Sequence, residues 1–208
     1  MGDPYKGMNL GRGLSKNGII LPTQDYIERV LFTPGEIQQR VSDLANQIVM
    51  HYTLMGVKEI VTIPMMGGAD KFHMDLCDQL YLKSPCFSVI PDHVRGQRYH
   101  GTQGVGDFQF TSDLKGNIKD KHVLGVEDIV DEGYTAESFL RSLEKRNPSS
   151  VNFITLLDKK CKRKVYVNIG FVGFEVPDLF VIGYGMDLDE RCRTWPFIGV
   201  LREEFYPK

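Results

Sequence analysis

Between residues 60 and 157 short apolar runs alternate with segments of helical period, and this alternation limits the fold more than any other feature of the chain. Ile60-Val61-Thr62-Ile63, Phe87-Ser88-Val89-Ile90, residues 122–126 and residues 151–157 each read as a strand. Phe72, Leu76 and Leu80 repeat at the spacing of one helical face, and residues 135–146 form a second helical segment. Strands that alternate with helices predict an α/β domain, a mainly parallel sheet flanked by helices. Another helix is predicted ahead of the first strand. Thr33 can cap it, Pro34 suits its first position and Glu36 completes a Thr-x-x-Glu box. Ile37, Val41, Leu44, Ala45, Ile48 and Val49 then share one face.

The ends of the chain are patterned differently. Residues 1–24 are Gly-rich and predict a loose arm, followed by a core over about 25–158. From about 159 to 208 the pattern changes to short apolar runs broken by Pro and Gly. That segment predicts a small β-rich hood, completed by the N-terminal arm. No repeat or linker divides residues 1–208, so a single domain is expected. Residues 91–113 are the longest poorly patterned stretch, and loops of that length are usually functional or disordered. A net charge of -2 supplies no basic face for nucleic acid. No apolar run reaches the roughly 18 residues that a membrane span needs. Cys77, Cys86, Cys161 and Cys192 are scattered, as expected of reduced thiols in a cytoplasmic protein.

The chemistry concentrates in HVLGVEDIVDEGYTAESFL, residues 122–140. Ligands of a doubly wound sheet bind beyond the C-terminal ends of its strands, where Glu127 and Asp128 fall. Two adjacent carboxylates there can accept hydrogen bonds from a vicinal diol or hold Mg²⁺ through its waters. An isolated Glu-Asp is more often a solvated turn; the residues that follow favour a site. Gly133 permits a positive φ, while Tyr134 and Thr135 bring N–H groups to a helix start, the makings of a phosphate cradle. Glu132 puts a negative charge inside that cradle. Two unit charges 4 Å apart at an effective dielectric of 20 interact by about 4 kcal/mol.

The order strand, Glu-Asp, two apolar residues, Asp-x-Gly-x-Thr resembles the signature of type I phosphoribosyltransferases, and VEDIVD is similar to the hypoxanthine-guanine (6-oxopurine) branch. The resemblance covers about Ile27 to Tyr206. It implies transfer of a 5-phosphoribosyl group from phosphoribosyl diphosphate (PRPP) to hypoxanthine or guanine, giving the nucleotide and pyrophosphate, with Mg²⁺. It implies that Glu127 and Asp128 hold the ribose, that Asp131 is the catalytic carboxylate near purine N7, and that Glu132, Gly133, Tyr134 and Thr135 surround the 5′-phosphate. LLDKK at 156–160 is similar to the segment whose lysine, here Lys159, reads the 6-oxo group. By itself Lys159 is one of five cations in a basic run with Lys160, Lys162, Arg163 and Lys164. VGFEVPDLFVIGYGMDLDE at 172–190 resembles the base-binding segment, implying roles for Phe180 and Val181 at the purine and for Asp187 near the base edge and a second Mg²⁺. Without the resemblance Phe180 reads as core. Arg193 corresponds to a pyrophosphate-binding arginine. The family further implies a homodimer or homotetramer.

Three departures fall on the anion side. The pyrophosphate loop keeps Gly67 and Gly68 but has Met66 where the family has lysine. The catalytic loop keeps Tyr99 but has Arg98 for serine, and Glu132 replaces a hydroxyl residue. These departures define an alternative, a catalytically impaired paralogue that binds a purine nucleotide or nucleoside in a regulatory role.

Overall fold

The computed structural model describes residues 15–16, 19–20, 26–65, 67–84, 86–98 and 108–206. Met66, Tyr99 and most of the arm 1–24 lie outside the described residues. The chain runs β1 (Ser15–Lys16), β2 (Ile19–Ile20), β3 (Ile27–Phe32), α1 (Pro34–Leu54), β4 (Glu59–Pro64), α2 (Ala69–Lys83) and β5 (Ser88–Pro91). It continues through β6 (Arg95–Arg98), β7 (Phe108–Ser112), β8 (His122–Val130), α3 (Tyr134–Glu144), β9 (Ser150–Asp158), β10 (Phe171–Glu175), β11 (Val181–Ile182) and β12 (Ile198–Leu201). Two compact units divide it: residues 35–178, and a second made of the segments before residue 35 and after residue 178.

In the larger unit five parallel strands lie in the order β10-β9-β8-β4-β5. The period of two along each strand explains how helices cover both faces. Thr62, Leu124 and Asn152 share one row and one face. There His73 Nε2 of α2 lies 2.9 Å from the Thr62 hydroxyl, and the Tyr52 hydroxyl of α1 accepts from Asn152 at 3.1 Å. Val61, Ile63, Val123 and Phe153 turn to the other face and pack with Phe139 and Leu143 of α3. Helix α1 buries Ile37, Val41, Leu44, Ala45 and Ile48 as their spacing predicts, but Tyr52 rather than Val49 completes the stripe. Arg40 ties α1 to β10 through the Val172 and Gly173 carbonyls, each at 2.6 Å.

The sequence assigned residues 159–178 to the hood; here they belong to the larger unit, because β10 is the fifth strand of its sheet. Gly173 makes that pairing possible, since a Cβ there would lie 2.3 Å from the Leu156 carbonyl oxygen. The poorly patterned stretch holds an antiparallel pair, β6 with β7. At its foot the buried Asp92 carboxylate accepts the N–H groups of His93 at 2.8 Å, Lys115 at 3.1 Å and Gly116 at 3.0 Å. The second unit is a three-stranded antiparallel sheet in the order β11-β12-β3. Tyr26, Ile182, Leu188, Trp195, Phe197 and Leu201 form its core. Among the described residues no helix is long and apolar enough to cross a membrane.

Candidate active site

Glu127 and Asp128 lie within β8, not after it. Strand β4 pairs with β8 only as far as Val126, but β9 continues alongside, setting Glu127 opposite Thr155 and Val130 opposite Asp158. The charged pair therefore keeps strand geometry on an extension whose β4 side carries no ladder. Both carboxylates are buried. Glu127 Oε1 accepts the Asp128 N–H at 3.2 Å, and Oε2 has no hydrogen-bond partner among the described residues. Burial, then the neighbouring Asp128 charge, raises the Glu127 carboxyl well above the usual range. An unsatisfied buried oxygen of this kind is costly and marks a place where a ligand can supply the missing donor. Asp128 Oδ1 accepts the Ile129 N–H at 2.9 Å. Its other oxygen occupies the space that a side chain at position 68 would need: a Cβ on Gly68 would lie 1.8 Å from Oδ2. Gly67, at φ +125°, donates its N–H to Asp70 at 3.2 Å.

The turn after β8 is held by its carbonyls. Val130 O accepts the Lys159 N–H at 3.0 Å, and Asp131 O accepts Arg163 Nε at 3.0 Å. Glu132 O accepts the N–H groups of Lys164 at 2.9 Å and Val165 at 3.2 Å. Arg163 is itself anchored by an ion pair with buried Asp158. Gly133 follows at φ +93°, and a Cβ there would meet Arg163 Cδ at 2.7 Å and Val167 Cγ2 at 2.9 Å. Backbone freedom and close packing both demand glycine. The first intrahelical bond of α3 runs from the Glu137 N–H to Gly133 O, so the N–H groups of Thr135 and Ala136 precede it, at the positive end of the helix. A cavity of about 410 Å³ opens here, with Glu127, the turn from Asp131 to Ala136 and Lys162 among its lining residues.

Glu132 lines this cavity, and its carboxylate is ion-paired with Lys164. The charge that stood out in the sequence is thus compensated by a neighbouring lysine. Asp131 also has a partner: Lys159 Nζ lies 3.0 Å from its Oδ1 and 3.3 Å from its Oδ2. The lysine side chain is 6% exposed and the carboxylate 42%, so the pair spans the boundary between core and solvent.

The remaining sequence-assigned residues lie in the second unit. Phe180 packs on Tyr206, with ring centroids 5.4 Å apart. Val181 is buried in β11, opposite Val200. Asp187 Oδ1 lies 2.9 Å from Arg193, and Oδ2 accepts the Glu190 N–H at 2.8 Å. Arg193 also donates to the Gly185 carbonyl at 2.8 Å. Among the described residues no cluster of three or more His, Cys, Asp or Glu surrounds a metal position. Sequence reasoning passed over Lys162, Arg163 and Lys164 as site residues. The signal available was the basic run itself, which does not say which of its members faces the turn.

The phosphoribosyl transferase domain model matches residues 32–190. The hypoxanthine-guanine-xanthine phosphoribosyltransferase of Tritrichomonas foetus is 39% identical over 186 residues, covering 89% of this chain and 97% of its own. The hypoxanthine-guanine phosphoribosyltransferase of Dictyostelium discoideum is 37% identical over 86% of this chain and 98% of its own. Among solved structures, the hypoxanthine phosphoribosyltransferase of Trypanosoma cruzi in complex with the product IMP superposes with a TM-score of 0.82 at 32% identity, over 88% of this chain and 98% of that one.

Proposed function

The chain belongs to the phosphoribosyl transferase domain family, and from that premise we propose that it is a purine salvage enzyme, transferring the phosphoribosyl group of PRPP to hypoxanthine or guanine. The observation that supports the reading is a cavity lined both by Glu127, which has an unpartnered buried oxygen among the described residues, and by the turn Asp131–Ala136 that opens α3. A ribose 5-phosphate suits both: it brings hydroxyl donors and a dianion.

In the mechanism, Glu127 and Asp128 accept hydrogen bonds from the ribose hydroxyls and orient C1′. The N–H groups at the start of α3 hold the 5′-phosphate. The bond from C1′ to the diphosphate oxygen breaks as the bond to purine N9 forms, through an oxocarbenium-like transition state. Asp131 stabilises or takes the proton at N7. Lys159, an obligate donor, favours a 6-oxo acceptor and sets donor against donor when the base carries a 6-amino group. Hard carboxylate oxygens suit Mg²⁺, and without a cluster of three protein ligands among the described residues the ion would keep water and substrate oxygens in its shell. Glu127 and Asp128, with Asp187 for a second ion, are the residues that would hold it, and it would neutralise the departing diphosphate. Tyr99, Gly67, Gly68 and Arg193 take the diphosphate-side roles that the family implies, with Met66 standing where the family has lysine. The assembly that goes with this reading is a homodimer or homotetramer, which light scattering measures.

The impaired-paralogue alternative rested partly on the charge of Glu132, and the ion pair with Lys164 removes that ground. Nucleotide formation from PRPP with each of hypoxanthine, guanine, xanthine and adenine tests the proposal. Turnover of a 6-oxopurine with refusal of adenine is expected; a preference for adenine would overturn the assignment of Lys159.

A further inference from the structure

Three of the described residues that line the cavity are acidic, Glu127, Asp131 and Glu132, and one is basic, Lys162. A phosphate dianion at the start of α3 would meet the partial positive charge of the helix, but also the carboxylates of Asp131 and Glu132. Those two are offset by Lys159 and Lys164, which pair with them. Either lysine, drawn off by a phosphate, would uncover a carboxylate that lines the cavity. Lys162 is not bound by that constraint. Its ammonium lies 3.1 Å from Asp178, which is not among the lining residues and whose side chain is 55% exposed. Water can solvate the Asp178 carboxylate once the ammonium turns away, and exposed pairs of this kind contribute little net stability.

The backbone explains why Lys162 lies on this side. Lys160–Lys162 form one turn of 3-10 helix, and the Lys162 N–H donates to the Lys159 carbonyl at 3.0 Å. Three residues per turn bring Lys162 round to the side of Lys159, which holds Asp131. Arg163, next along, turns to the Val130 and Asp131 carbonyls and to Asp158. The Asp178 hydrogen bond, with the fields of Asp131, Asp178 and Glu132, outweighs desolvation and raises the pKa of Lys162 above the ordinary lysine range. The ammonium is therefore charged at neutral pH and within electrostatic reach of two carboxylates that line the cavity. We propose that Lys162 is a specificity-determining residue for the 5′-phosphate: its ammonium leaves Asp178 and binds the phosphate together with the N–H groups that open α3. The inference rests on the phosphoribosyl-transfer reading and deepens it.

The test is calorimetric titration of wild type, Lys162→Met and Lys162→Arg with IMP and with inosine, which has the same base and ribose but no 5′-phosphate. Lys162→Met raises Kd for IMP about tenfold, the scale of one charge-assisted hydrogen bond, and leaves Kd for inosine within about twofold of wild type. Lys162→Arg, which keeps the charge, stays within about threefold of wild type for IMP. A rise of less than about threefold in the IMP Kd of Lys162→Met overturns the proposal. An equal loss for IMP and inosine also overturns it, because a merely structural lysine would weaken both. In steady-state kinetics the same variant raises KM for PRPP by a similar factor and leaves KM for hypoxanthine unchanged. If the wild-type protein forms no IMP from PRPP, the phosphoribosyl-transfer reading has failed, and the titrations still decide the inference. A selective loss of IMP binding by Lys162→Met then supports it, and a wild type that binds no IMP, or binds it no tighter than inosine, overturns it.

Discussion

The unequal burial of the two partners in the Lys159–Asp131 pair makes a prediction in which stability and activity separate. The ammonium side chain is 6% exposed and the carboxylate 42%. Removing Asp131 leaves a buried cation without its counter-ion, and uncompensated buried charges cost about 3–5 kcal/mol. Water can reach the site from the Asp131 side, so Asp131→Ala should fall at the low end, about 3 kcal/mol. At roughly 2–4 °C per kcal/mol for a chain of this size, Tm drops by about 6–12 °C. Lys159→Met reverses the situation. The apolar stem is replaced by one of similar length, the desolvation cost disappears, and the remaining carboxylate is already half in water. Its stability should stay within about 1 kcal/mol of wild type, on either side. Both variants should lose kcat/KM for hypoxanthine by roughly 10–150-fold, the equivalent of one hydrogen bond to a charged group at about 1.5–3 kcal/mol. Urea denaturation at constant slope measures the first quantity and initial rates of nucleotide formation the second. A Lys159→Met variant destabilised as much as Asp131→Ala would refute the burial argument, since the order of the two costs follows from it alone.

Gly68→Ala should disable the site without unfolding the sheet, because its Cβ would come within 1.8 Å of Asp128 Oδ2 and force the carboxylate aside. A loss of kcat/KM for PRPP of about tenfold or more is expected, with a stability change of about 1–3 kcal/mol by thermal melting. Asp92→Ala should destabilise the protein by about 2–4 kcal/mol at neutral pH, since three backbone N–H groups lose one charged acceptor. Burial raises the Asp92 carboxyl, but the N–H bonds of Gly116, His93 and Lys115, with the nearby His93 ring, outweigh it and hold the group below the ordinary range. A depressed carboxyl contributes stability that is present above its unfolded pKa of about 3.9 and lost as pH falls through the lower folded value. The gap between wild type and Asp92→Ala should therefore be full at pH 7 and close at pH below about 4, as followed by denaturant melts across pH. Chelation of divalent cations should abolish nucleotide formation, and excess Mg²⁺ should restore it.

Much of the frame was legible in the sequence, and what was not legible has identifiable causes. The α1 stripe and the turn into α3 showed because local period and glycine placement report them directly. The extension of β8 through Glu127 and Asp128 did not, because two carboxylates look like the end of a strand. Only the partner β9, running on to Asp158, keeps them in the ladder. Residues 171–174 looked like part of the hood, since an apolar run of four residues carries no mark of the sheet that it joins. Asp131 and Lys159 were singled out through the family signature, whereas the pairing of Lys164 was hidden among neighbouring cations. Its significance depends on Glu132, a residue distant in sequence that the fold brings alongside. Glu132 itself was visible as an anomaly, but its meaning was not, because a charge can be judged only with its partner in view.

The central claim, phosphoribosyl transfer to a 6-oxopurine, is tested most directly by incubating the protein with PRPP, Mg²⁺ and hypoxanthine and quantifying both products. The account predicts IMP and pyrophosphate in equal amounts, with no IMP when PRPP is replaced by ribose 5-phosphate. A folded protein that forms no IMP from PRPP, although a purine nucleotide raises its melting temperature, would contradict it.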